Sequence, residues 1–86
     1  MPEISRFFGI IIAIFYNDHN PPHFHARYGD YGAVIGINDF ALLEGYLPPR
    51  ALGLVTEWAE IHKEDLMKDW QLASENKPLL PIEPLK

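Results

Sequence analysis

Three of the chain's four histidines fall within the run Asp18-His19-Asn20-Pro21-Pro22-His23-Phe24-His25. Imidazole exchanges protons near neutral pH and binds metal when neutral, so no other stretch matches this one for chemical content. Each proline fixes φ near about −65° and pushes the residue before it toward extended backbone, which stiffens the chain between His19 and His23. On a strand, His23 and His25 would share one face at roughly 6 to 7 Å along the backbone. That spacing suits an acid and a base flanking one bond, and Arg27, next on the same face, would hold a phosphate. His23, His25 and Arg27 are therefore the candidates for proton-transfer chemistry. The same block offers His19, His23 and His25, with Asp18, as ligands for a divalent metal such as zinc, three ligands leaving one tetrahedral position open. The plainer reading makes Asp18 and His19 turn caps, and His23 and His25 ordinary polar residues on a solvated strand face; no cofactor is then required.

The elements that must position this block divide into a β half over residues 4–47 and an α half. Gly9 to Asn17 is apolar on both faces and rich in isoleucine, the pattern of a central strand. Phe24 to Tyr28 alternates strictly, with Phe24, Ala26 and Tyr28 toward a core and His23, His25 and Arg27 away from it. Gly29 to Gly32 reads as a turn, Ala33 to Ile37 as a third strand, and Phe40 to Tyr46 as a short fourth. Pro48-Pro49 opens a single long helix over about 49–75, with Asn76 and Pro78 as stop signals. Ala51, Val55, Trp58, His62, Leu66 and Ala73 form its apolar stripe, which makes His62 a core histidine bonded to a backbone carbonyl and Trp58 and Trp70 core and core-edge residues. The tail, residues 76–86, carries prolines 78, 81 and 84 and should be extended. The expected fold is a single α+β domain: an antiparallel meander of three to four strands, one helix packed on one face, and the Pro-rich tail.

Composition narrows the function. The 86 residues hold no cysteine, which removes disulfides and thiolate ligands and fits a cytoplasmic location. The apolar run from Phe7 to Tyr16 is about half the length of a membrane span, so no membrane partner is expected. Seven basic against twelve acidic residues give a net charge of −5, unfavourable for generic nucleic-acid binding. Ile11, Ala13 and Phe15 on the strand face away from the helix, with Leu79, Leu80, Ile82 and Leu85 in the tail, would leave an apolar surface on a monomer. A dimer or heteromer, with the tail docked on a neighbouring chain, is the expectation.

The run Ile4-Ser5-Arg6-Phe7, Gly9-Ile10, the block from Asp18 to Ala26, Tyr28-Gly29, Leu47-Pro48, Val55-x-Glu57-Trp58, Trp70 and Ile82-Glu83-Pro84-Leu85 together resemble the bacterial family called domain of unknown function 4160. The likeness covers essentially the whole chain, and departs at Ala13, where members often carry a basic residue. It implies the toxin component of a two-gene toxin–antitoxin module, whose partner is an antitoxin-like protein of the domain of unknown function 2442 family from a neighbouring gene. It implies no reaction and no catalytic residue. Three readings stand together: a toxin acting on RNA through the histidine cluster, a histidine-ligated metal-binding protein, and a non-enzymatic protein-interaction module.

Overall fold

A computed structural model describes residues 2–86. Five strands form one antiparallel sheet in sequence order: β1 (Glu3–Phe7), β2 (Ile10–Ala13), β3 (His23–Tyr28), β4 (Tyr31–Gly36) and β5 (Leu42–Gly45). Two helices follow, α1 (Pro49–Ile61) and α2 (Lys63–Ser74), and then an extended tail. The chain is thus α+β as its sequence predicts, with two corrections.

The first correction is in the sheet, which has five strands and not three to four. The added strand, β1, pairs Phe7 with Ile10 across a two-residue turn in which Phe8 and Gly9 both have positive φ, 49° and 79°. Such a turn normally advertises itself as Asn-Gly or Asp-Gly, and a phenylalanine at its first position conceals it. The predicted strand from Gly9 to Asn17 correspondingly ends early, at Ala13, and Asn17 takes a left-handed φ of 56° as the chain turns away from the sheet.

The second correction is in the helix. It is interrupted at His62, whose φ of −111° and ψ of 25° leave the helical region. The apolar stripe runs across the break without a glycine or proline to mark it, so periodicity alone reads it as continuous. Ala51, Val55, Trp58, Leu66 and Ala73 are buried as expected, whereas His62 is half-buried and lies 3.5 Å from the Asp65 carboxylate.

One face of the sheet makes the core. Ile10, Ile12, Phe24, Ala26, Ala33 and Ile35 point toward the helices and are buried against Val55, Trp58, Ala59 and Leu66. Trp58 anchors this layer, its ring 5.3 Å from Phe7 and 6.1 Å from Phe24. Where β5 meets β4 the ladder shifts at Val34/Ile35, and Gly45 is required: its φ is 81°, and a Cβ there would meet Gly32 O at 2.1 Å.

The tail finds its surface on its own chain. Ile82 is buried and its N–H donates to Ile4 O on β1, Leu80 N–H donates to Asp69 Oδ1, and Trp58 Nε1–H donates to Glu83 O. Leu79 and Leu85 pack partly buried on the core. These contacts take the tail out of the argument for a second chain and leave only the open sheet face in it. Asp69 is 1% exposed, its Oδ2 has no partner, and burial pushes its carboxyl above the usual range despite the Leu80 N–H. The folded protein therefore holds this proton more tightly than the unfolded chain, so its contribution to stability declines as pH rises from the ordinary carboxylate value through the raised one. Asp69→Asn keeps an oxygen for Leu80 and removes the buried charge: the melting temperature should rise at pH 7 and change little at pH 3.5. A fall at pH 7 would mean that the charge is compensated in solution.

Candidate functional site: an aspartate and two histidines at the end of the sheet

Alternation along β3 places His23, His25 and Arg27 on the face opposite the helices, as the sequence predicts. The loop from Ile14 to Pro22 returns past this end of the sheet and lays Asp18 against the two histidines. Within the loop the Asn20–Pro21 peptide is cis.

Asp18 is the hub. Its Oδ1 accepts the His19 N–H at 2.9 Å and lies 3.0 Å from His19 Nδ1. Its Oδ2 lies 2.8 Å from His23 Nε2 and 3.5 Å from His25 Nε2. One ligand atom from each of Asp18, His23 and His25 falls within 4.8 Å of the others. His19, although adjacent in sequence, is outside this group: its side chain is 91% exposed, it faces the other oxygen of Asp18, and its ring lies 6.0 Å from that of His23. Arg27 lies further along the strand and is exposed.

Two side chains outside the block hold its histidines in place. Trp70 of α2 packs on His23 with ring centroids 5.0 Å apart, and Phe15 meets the His25 ring edge-on at 4.4 Å. Trp70 is the core-edge residue the helix pattern predicts, but nothing in that pattern shows that its neighbour is a site histidine. His23 is consequently buried even though it lies on the open face. His62 takes no part; its ring lies against Trp58, 5.6 Å away.

The hydrogen bonds fix the chemistry of His23. Its Nδ1 lies 2.8 Å from Pro21 O, and a carbonyl only accepts, so Nδ1 carries a proton and donates it. In the neutral ring Nε2 is then a bare lone pair, 2.8 Å from a carboxylate oxygen that is also an acceptor. Two acceptors at that distance need a proton or a cation between them. Beside them, His25 Nε2 is buried and has no hydrogen-bond partner. Burial holds the His25 pKa below its ordinary value; the Asp18 carboxylate works against this and His23 adds to it. Asp18 is held below the usual carboxylate range, because the His19 N–H and the two imidazoles outweigh the burial that would raise it. At neutral pH the cluster is thus an ionised carboxylate, a neutral His25 and a His23 directed by a carbonyl, all converging on one point.

The fold and site define a small α+β protein with a carboxylate–histidine cluster at one end of an antiparallel meander. The chain belongs to the family described as Domain of unknown function (DUF4160), whose model matches residues 9–71. The match takes in the whole cluster and Trp70, and leaves out β1 and the tail. No curated protein and no solved structure matches the chain.

Because its folded pKa is depressed, His25 takes up a proton less readily in the folded protein than in the unfolded chain. It therefore favours folding above the ordinary histidine value and opposes it as pH falls below that value. Its NMR titration midpoint should lie under 6.5, and Asp18→Asn, which removes the charge that raises it, should move the midpoint lower still. An upward movement would contradict the assigned geometry.

Proposed function

We propose that the protein binds a divalent metal ion of the zinc class at Asp18, His23 and His25. The observation that carries the proposal is the convergence of three lone-pair sites: Asp18 Oδ2, His23 Nε2 opposite a committed Nδ1–H, and the partnerless His25 Nε2. A histidine whose far nitrogen donates to a backbone carbonyl has the tautomer and orientation that metal ligands use. Ligands about 2.1 Å from one tetrahedral centre lie about 3.4 Å apart, and the separations of 2.8 and 3.5 Å bracket this. Three protein ligands leave a position for water or a bound anion, which a bound metal would polarise.

Protein purified without a histidine tag should take up about one equivalent of Zn²⁺, with a rise in melting temperature and release of protons. Asp18→Ala and His25→Ala should each weaken uptake by about 10- to 100-fold or more, the scale on which even outer partners of metal ligands act, while His19→Ala should change it little. Absence of uptake in titration calorimetry, with no thermal shift, would refute the metal centre.

A second reading keeps the cluster and omits the metal: the toxin component of a toxin–antitoxin pair, acting on RNA through His23 and His25 and bound by the product of a neighbouring gene as a heteromer. What favours it is the pairing of a His23 whose Nε2 faces Asp18 with a neutral His25, ring centroids 5.3 Å apart and Arg27 on the same face. Such a pair matches a general acid beside a general base. The net charge of −5 works against RNA affinity. Under this reading, expression alone should slow growth, co-expression of the neighbouring gene should restore it, and the double change His23→Ala, His25→Ala should abolish the effect while the protein stays folded. An inert phenotype, with no association between the two gene products, would remove it.

A further inference from the structure

We infer that the open sheet face beside the cluster is a binding groove for a phosphate monoester, with its phosphate between Arg27 and the metal position and its organic part on the sheet. The inference rests on the metal reading above and assigns that site a ligand class.

Two cavities meet at the cluster. One, of about 350 Å³, lies over Asp18, His19, His23 and His25 and is also lined by Val34, Leu43 and Glu44. The other, of about 320 Å³, continues along the sheet over Ile11, Ala13, Phe15, Val34 and Arg27. They share His25, Val34 and Glu44 and so form one trough. The trough has the size of a small-molecule site, roughly 300 to 1,000 Å³.

Strand register orders the chemistry along this trough. Ala13, His25, Val34 and Glu44 are paired across four strands in one row, and Arg6, Ile11, Arg27 and Gly32 in the next. The two arginines of the second row differ. Arg6 is bound twice by Glu3, at 2.8 and 3.1 Å, whereas among the described residues no carboxylate lies within ion-pair distance of Arg27. Arg27 is thus an uncommitted cation above an apolar floor of Ile11, Ala13 and Val34, with a coordination position at the other end. A guanidinium and a metal ion together complement a phosphate, and the floor suits a flat apolar group. Glu44 lines both cavities in the row of His25 and adds negative charge to the trough, which favours a ligand with a single phosphate over one charged at both ends.

The test uses phenyl phosphate and inorganic phosphate, titrated into zinc-loaded protein by calorimetry. Phenyl phosphate should bind more tightly than inorganic phosphate, and Arg27→Gln should weaken it at least about tenfold, the loss expected for a charge-assisted contact. Zinc stoichiometry should be unchanged in this variant, and Glu44→Gln should bind phenyl phosphate at least as well as the parent. Equal affinities for the two probes, or equal affinities of the parent and Arg27→Gln, overturn the groove while leaving the metal centre standing. If the protein takes up no zinc, the same titration on metal-free protein decides: Arg27-dependent binding of phenyl phosphate supports the groove and refutes only the metal, and no binding refutes both.

Discussion

The two-residue period of β3 is the constraint from which the rest follows. One face of the strand gives Phe24 and Ala26 to the core, where Trp58 closes over Phe24; the other presents His23, His25 and Arg27. A slip of one residue in its pairing would exchange the two sets, putting an arginine and two imidazoles into the hydrocarbon layer and a phenylalanine into water. The register that builds the core therefore also builds the site. This is why a sheet of short strands can hold a polar cluster in a fixed arrangement.

Asp18 supplies what the strand cannot. A carboxylate needs favourable partners to remain ionised when partly buried, and this one accepts the His19 N–H at one oxygen while two imidazole nitrogens face the other. The histidines in turn are steered from outside: Pro21 O sets the tautomer of His23, Trp70 covers its ring, and Phe15 seats His25. Helix α2 is thereby part of the site without contributing a reactive group, while its Leu66 and Ala73 share the core with α1.

The legible part of this molecule was the part written in short-range pattern. Alternation in β3, the both-sided apolar run of β2, the apolar stripe of the helices and the prolines of the tail each state their structure locally. The facing of His23 and His25 follows from that alternation, and the break between the β and α halves from Pro48-Pro49 at the helix start. What could not be read was set by groups distant in sequence or by an unusual turn residue. Phe8 at positive φ hid β1, the uninterrupted stripe hid the break at His62, and the contact of Trp70 with His23 spans 47 positions that no periodicity connects. Likewise, Asp18 and His19 are equivalent on paper, and only the folded loop turns one inward and leaves the other 91% exposed.

The tail changes what the sheet can do at its borders. Ile82 occupies Ile4 O on the outer side of β1, and prolines 81 and 84 beside it have no N–H to offer a further strand. At the other border β5 is exposed throughout and bears Leu42 and Leu43. Among the described residues the sheet thus has one margin partly covered by the tail and one left uncovered. A strand added at β5 would meet an uncovered edge, whereas one added at β1 would have to displace the tail.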